Sequence, residues 1–444
     1  GTTASVAMHL LIIATVCTML SLTACAQPIT EPVVSSQRMA VQQQPAAPSF
    51  GALHASNPQS DANVADIASS PVVANAVAAA AGPRVTGGPG QVRRIPDPPF
   101  ASTEVARFDE PWAMTFLPDG RLLVTEKKGK LKLLDVATGQ MGDVTGVPTV
   151  AYGGQGGFGD VVLHPQFASN RWVYLSYAES GANNTRGAVV VRAQLALTPG
   201  ANTGSLSNPQ TVWQQAPKVT GEGHYGHRIA FDRNGKLWIS SGDRQKFTPA
   251  QDMQSNLGKI LRLNDDGSIP ADNPFVNQGG VAAQVWSLGQ RNPLGIAFDA
   301  QGQLWEHEMG PSGGDELNLI ERGSNYGWPV VSNGDNYDGS NIPDHDTRPE
   351  FNAPEASWTP VIAPAGFIIY SGNMFPYFHS NGFIGGLASQ ALIRVELTGV
   401  QGREVARYSF GGRIREVEQG PDGAIWILRD GTNAPLLKLT PNMN

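Results

Sequence analysis

Four short segments of this sequence carry more histidine, arginine, acid and glycine than a turn requires. The richest is GEGHYGHRIAFD, where His224 lies just ahead of an apolar run. A neutral imidazole there can take a proton from a hydroxyl near pH 7. Asp243 follows in SSGDR, and a hairpin between the two would return the acid to the same end. A carboxylate on the far ring nitrogen fixes the tautomer and strengthens the base. The same two residues would also serve as a pair that only ties loops together. His227, in His-x-x-His spacing with His224, raises a metal pair, but no third ligand stands nearby in sequence.

The other three segments are poorer in titratable groups. GGQGGFGD (residues 153–160) has glycines that let backbone approach a flat ligand, and Gln155 can hydrogen-bond one. SLGQRNPLG places Arg291 and Asn292 at the entry to an apolar run. EMGPSGGDELNLIERGSNYGWP offers the carbonyls of Gly310 and Pro311 with Glu316 nearby, oxygen donors of the kind calcium selects. Asp315-Glu316 would equally suit a solvated turn.

Something must bring these scattered segments together, and the rest of the chain suggests what. A unit recurs from Phe100 onward: an apolar strand, a glycine turn, then a strand of β-branched or aromatic residues. Its instances begin at Ala113, Asp160, Arg228, Gly295, Phe367 and Glu416. Asp119-Gly120, Asn234-Gly235 and Asp422-Gly423 suit hairpin turns that need positive φ. One hairpin buries too little, whereas a closed ring of four-stranded blades removes most exposed edges. An all-β fold is expected, a six-bladed β-propeller over 100–444, whose loops converge on a central mouth. A two-sheet sandwich would not need the same unit six times.

Composition narrows the function. The net charge is −7 and there is no Lys/Arg-rich run, which argues against a nucleic-acid surface. Both cysteines, Cys17 and Cys25, lie in the first apolar segment, so disulfides and thiolate metal sites are excluded from the body. Residues 1–25 end in Leu22-Thr23-Ala24-Cys25, like a lipoprotein signal with its acceptor cysteine. An uncleaved membrane anchor is the alternative. The chain is expected to be exported, periplasmic or anchored to the outer membrane by lipid. Residues 26–99, rich in Ala, Gln, Pro and Ser, read as a low-complexity tether.

From Phe100 onward the sequence resembles the soluble pyrroloquinoline-quinone aldose sugar dehydrogenases, relatives of soluble glucose dehydrogenase. The resemblance rests on GGQGG, HYGHR, QRNPLG, GPSGGDE, NYGWP and GGRIREV, in that order. It implies a six-bladed propeller that oxidises aldoses to lactones with the quinone (PQQ) and Ca²⁺, leaving electrons for an external acceptor. By the same resemblance His224 is the general base and Asp243 the acid supporting it. Arg291 and Asn292 contact the quinone, with Gln155 and Tyr337 as further contacts, and Arg413 and Arg415 face its carboxylates. Gly310 and Pro311 hold calcium through main-chain oxygens, and Glu316 with Tyr326 resembles a second, structural calcium site. Two positions depart from the pattern. Ala388, Ser389 and Gln390 stand where the family often has a lysine, and Gly223 lacks the side-chain acid or amide of some relatives. Two other readings follow: a surface-tethered binding propeller without catalysis, and a metal-dependent lactonase, which needs acid and amide side chains on a channel metal.

Overall fold

The computed structural model describes residues 94–443. The segment 1–25 with Cys17 and Cys25, and the tether 26–99 up to residue 93, lie outside the described residues. No helix among the described residues is long and apolar enough to cross a membrane.

The described chain is all β, twenty-four strands with one four-residue α-helix, Phe167–Asn170, and short 3-10 turns. The strands form six antiparallel four-stranded meanders. Four are separate sheets, and two (strands within 111–145 and 158–214) join into one eight-stranded sheet. That junction is a parallel bridge of two residue pairs, Val144–Gly204 and Thr145–Ser205. The last meander is completed by the first strand of the body, Phe100–Phe108, which pairs antiparallel with Ala434–Pro441.

Turn chemistry explains the repeated hairpin. Asp232 accepts the amides of Asn234 and Lys236 on Oδ1 and the Trp238 indole on Oδ2 at 3.0 Å. Asp299 does the same for Gln301, Gln303 and Trp305. Glycines 235 and 302 supply the positive φ, 78° and 82°. In the last meander Gly420 stands where the acid would be, and a Cβ there would lie 2.5 Å from Trp426 Nε1.

There is no single core. Each successive pair of meanders shares a buried apolar layer, and the sixth shares one with the first. Phe116, Met114 and Val124, for example, pack on Trp426, Leu428 and Leu436. Both faces of the inner strands are therefore covered. Pro111–Phe116, Phe158–Leu163 and Gly226–Phe231 are buried at every residue.

The first strand of each meander touches the first strand of the next, and the cycle closes from Ile414–Gln419 back to Pro111–Phe116. All six carry a β-bulge near their start. The residues left out of register are Trp112; Gly159 and Asp160; His227 and Arg228; Leu294; Ala365 and Gly366; and Arg415. A bulge bends the strand and re-aims its side chain. Trp112, His227, Leu294 and Arg415 all line one cavity of about 380 Å³.

Candidate active site

The cavity is built from the beginnings of the inner strands and the loops beside them. Gln155, Gly226, Asn292, Met309, Ala363, Leu387 and Arg413 contribute to it, along with Trp112, His227, Leu294 and Arg415 from the bulges. Four of the sequence-predicted residues, Gln155, Asn292, Arg413 and Arg415, thus meet at one place. His224 and Arg291 stand next to the lining.

His224 is placed by two strands. Gly226 pairs with Ser241, so the loop before one strand and the loop after the next lie side by side. His224 Nδ1 comes within 2.7 Å of Asp243 Oδ1. A carboxylate only accepts, so Nδ1 carries the proton and Nε2 presents its lone pair. The His224 amide donates to Gln155 Oε1 at 2.9 Å, which ties the GGQGG loop to His224. Gly154 permits this contact: it has φ 58°, and a Cβ there would lie 2.6 Å from Glu222 Cβ.

Asp243 is equally fixed. Oδ1 also accepts the Gln245 amide, and Oδ2 accepts the Trp328 indole at 2.7 Å. The Asp243 amide donates to the Arg291 carbonyl at 2.8 Å, which links the third meander to the fourth. His224, Arg244 and Gln245 all have φ between 53° and 60°. Such conformations cost energy in non-glycine residues and persist where the surroundings over-determine them. Here the determinant is Arg244. It stacks on Tyr225 at 4.0 Å and donates to the carbonyls of Gly221, Gly223 and Arg186. The amide of Gln245 occupies the space a side chain at Gly223 would need, 2.5 Å from the missing Cβ.

Burial lowers the His224 pKa, and the arginines 291 and 244 push the same way. The Asp243 hydrogen bond and charge oppose them without restoring the ordinary value. The imidazole therefore stays neutral below the usual histidine range, as a proton acceptor must.

Arg291 reaches across to the fourth meander. Its Nη1 donates to Gly310 O at 2.7 Å and Met309 O at 3.1 Å, and Nη2 to Tyr337 Oη at 3.3 Å. The guanidinium lies 5.2 Å over the Trp328 ring. Tyr337 is 77% exposed and open to a ligand. Arg291 Nε and Asn292 Oδ1 are buried without a hydrogen-bond partner.

The loop bearing Gly310 and Pro311 is pinned by Asp315, not Glu316. Asp315 Oδ1 accepts the Gly310 amide, and Oδ2 accepts the amides of Ile362 and Ala363. Both acids start one strand, Asp315–Ile320, and adjacent strand residues face opposite ways. Glu316 accordingly meets Asn318 at 3.0 Å and His345 at 3.3 Å. Tyr326 spends its phenol on the Leu319 carbonyl and the Glu321 amide. Among the described residues no group of three or more His, Cys, Asp or Glu side chains is arranged to hold a metal. A calcium ion at this mouth would rest on main-chain oxygens, and the Gly310 carbonyl already serves Arg291.

Three cations, Lys127, Arg413 and Arg415, line the cavity beside two acids, Glu110 and Asp430. Arg413 Nε and Arg415 Nε share the two oxygens of Asp430, at 3.1 and 3.0 Å. Burial alone would raise the Asp430 pKa, but the two arginines outweigh it and hold it low. Lys127 is a third cation, which sequence reasoning missed. It donates to Gly154 O at 3.1 Å, and its pKa is lowered by burial and by the charge of Arg415. In sequence it sits in a plain turn, Glu126-Lys127-Lys128-Gly129, and only ring closure brings it opposite Arg415. The segment without the family lysine supplies no cation here. Ala388 and Ser389 bond to Ile362 O, and Arg394 is committed to Asn381 and Tyr408.

Trp328 was also missed, although it lies in the conspicuous NYGWP stretch. Trp328→Phe keeps a ring beneath Arg291 but removes a donor from Asp243. The relieved carboxylate should pull harder on the His224 proton and raise the pKa of that imidazole. NMR titration of the His224 ring in the variant checks this.

Comparison with known proteins places the chain in a family. A family model described as Glucose / Sorbosone dehydrogenase matches residues 108–438. Aldose sugar dehydrogenase YliI of Escherichia coli is 38% identical over 343 residues, covering 76% of this chain and 91% of that protein. The crystal structure of the soluble aldose sugar dehydrogenase of Escherichia coli in the apo-form superimposes with a TM-score of 0.72 at 36% identity, over 77% of this chain and all of that one. The PQQ-bound aldose sugar dehydrogenase of Streptomyces coelicolor gives 0.63 at 28% identity, over 77% of this chain and 98% of that one. This chain belongs to the glucose/sorbosone dehydrogenase family.

Proposed function

We propose that the chain is a six-bladed propeller dehydrogenase that oxidises the anomeric C–OH of aldose sugars to lactones, using PQQ and Ca²⁺. The closed cycle of six meanders supports the blade count, each meander being one blade. The observation that carries the chemistry is the His224–Asp243 pair at 2.7 Å, bonded through Gln155 to a cation-lined cavity.

The residues fit such a ligand. Lys127, Arg413 and Arg415 would face its carboxylates, and Asn292, with a buried unpartnered Oδ1, would bond its polar edge. Gly310 and Pro311 would offer carbonyls to calcium. When bound, the quinone supplies the two-electron acceptor, polarised by the metal, that takes hydride from the sugar's C1. His224 Nε2 takes the hydroxyl proton as the C–O bond gains double-bond character, and Asp243 steadies the imidazolium that results. Trp328 and Gln245 hold Asp243 in line. The aldose loses one hydride and one proton, and the electrons pass on to an external acceptor.

The test is reconstitution. Apo-protein mixed with PQQ and Ca²⁺ should reduce a dye when an aldose is added, and omitting either addition should abolish the signal. Tight quinone binding without turnover of any aldose would overturn the reading in favour of a binding module. Lactone hydrolysis without quinone would point to a lactonase.

Charge should govern cofactor affinity. Arg415→Met is expected to weaken quinone binding more than tenfold and to flatten its salt dependence, because a half-buried cation is lost. Lys127→Met should act in the same direction. Titration of apo-protein at two ionic strengths measures both effects.

The proposal includes location. A lipid on Cys25 would tether the propeller outside the cytoplasm through residues 26–99, supported by the apolar run ending in Leu-Thr-Ala-Cys. Labelling with a radioactive fatty acid, lost in Cys25→Ala, is the check.

A further inference from the structure

His227 has no role in the mechanism above, yet it occupies the bulge of the third inner strand and lines the cavity. Its ring is held on three sides. Tyr225 stacks on it at 5.3 Å with planes 8° apart, and Trp112 meets it edge-on at 5.8 Å. Gly159 lies beneath, where a Cβ would come within 2.8 Å of His227 Cγ. Only 3% of the residue is exposed, and neither Nδ1 nor Nε2 has a hydrogen-bond partner.

A buried polar atom without a partner is costly, and two on one ring are unusual in a well-packed protein. The backbone is also constrained, with φ 75° at a non-glycine residue. A metal does not explain the pair of histidines, because His224 Nδ1 is committed to Asp243 and no third side-chain ligand adjoins among the described residues. Charge does not explain it either. The residue sits close to Arg228 and Arg244, whose charges add to burial in keeping the imidazole neutral. A neutral imidazole offers one donor and one acceptor.

We propose that His227 is a ligand-contacting residue that hydrogen-bonds a polar edge of the planar quinone held in this cavity. The assignment rests on the functional reading above. The quinone is favoured over the sugar because three cations, Lys127, Arg413 and Arg415, outnumber the two acids, Glu110 and Asp430, in the cavity His227 lines. Tyr225 and Trp112 fix the ring plane, so the contact is oriented before the ligand arrives. It adds no charge, so it contributes fit without adding to the salt dependence of binding.

The test uses the apo-protein with PQQ itself, in Ca²⁺ buffer, followed by quenching of tryptophan fluorescence and by calorimetric titration. His227→Phe keeps the stacked ring and removes both nitrogens. Quinone affinity should fall about tenfold with an unchanged salt slope, while the apo-protein melts at the same temperature or higher. His227→Leu, narrower against Gly159, should show the same loss if phenylalanine does not fit. His227→Asn, again one donor group and one acceptor, should recover part of the affinity. Wild-type affinity in both apolar variants would mean that water alone serves the ring, and would overturn the assignment. So would a lower melting temperature in all three variants with proportionate loss of binding, the mark of a structural role. A wild-type protein that binds no quinone overturns the functional reading, and this one with it.

Discussion

His224→Ala should lower kcat by about 10²–10⁴-fold, the range lost when a positioned general base is removed. Quinone binding should change little, because the cations and Asn292 remain in place. Dye reduction at saturating PQQ measures the first effect and fluorescence titration the second. Loss of both together would mean that His224 holds the loop and does no proton transfer. The wild-type pH profile carries a further sign. Burial lowers the His224 pKa, and the Asp243 carboxylate only partly offsets it. The rate should therefore hold through neutrality and fall only below about pH 6.5, the ordinary imidazole value.

Asp243→Asn should come next in size, with kcat reduced by about 10²-fold or more. An amide at that position can turn its NH₂ toward Nδ1, which would favour the tautomer with the proton on Nε2 and block the base. The variant also removes the one influence that raises the His224 pKa. The acid limb should therefore shift to lower pH as the maximum rate drops. A merely structural acid would lower stability and leave the limb unmoved. Trp328 donates to the same carboxylate, so Trp328→Phe and Asp243→Asn should be strongly non-additive.

Much of this site could be read from the sequence because its parts obey local rules. Hairpin turns at Asp119-Gly120 and Asn234-Gly235 are visible since few residues accept positive φ, and their recurrence gave the repeat. His224 and Asp243 could be paired because a hairpin returns the chain over a known number of residues. Trp328 was hidden because it reaches Asp243 across 85 residues of chain. Lys127 was hidden because its own bonds go to Gly154 and Glu110 nearby, while the charges it faces, Arg415 and Asp430, come from the last meander. Asp315 and Glu316 are adjacent in sequence, and only the strand's alternation decides which one faces Gly310. The strand Phe100–Phe108 was equally quiet. It is largely exposed, so it lacks the apolar pattern of its neighbours, and its partner is at the other end of the chain.

The six displaced rungs at the start of the inner strands also bear on how such a mouth could diversify. Beyond each offset the ladder resumes its own pairing, so a residue at 112, 294 or 415 can change without shifting the sheet behind it. Two positions are less free. Gly159 lies against His227, and Gly366 lies 2.3 Å, measured from a Cβ it lacks, from Glu416 Oε1. Bulk at the bulges is thus shared between neighbouring blades, and a side chain gained at 159 requires room from both His227 and Ser176.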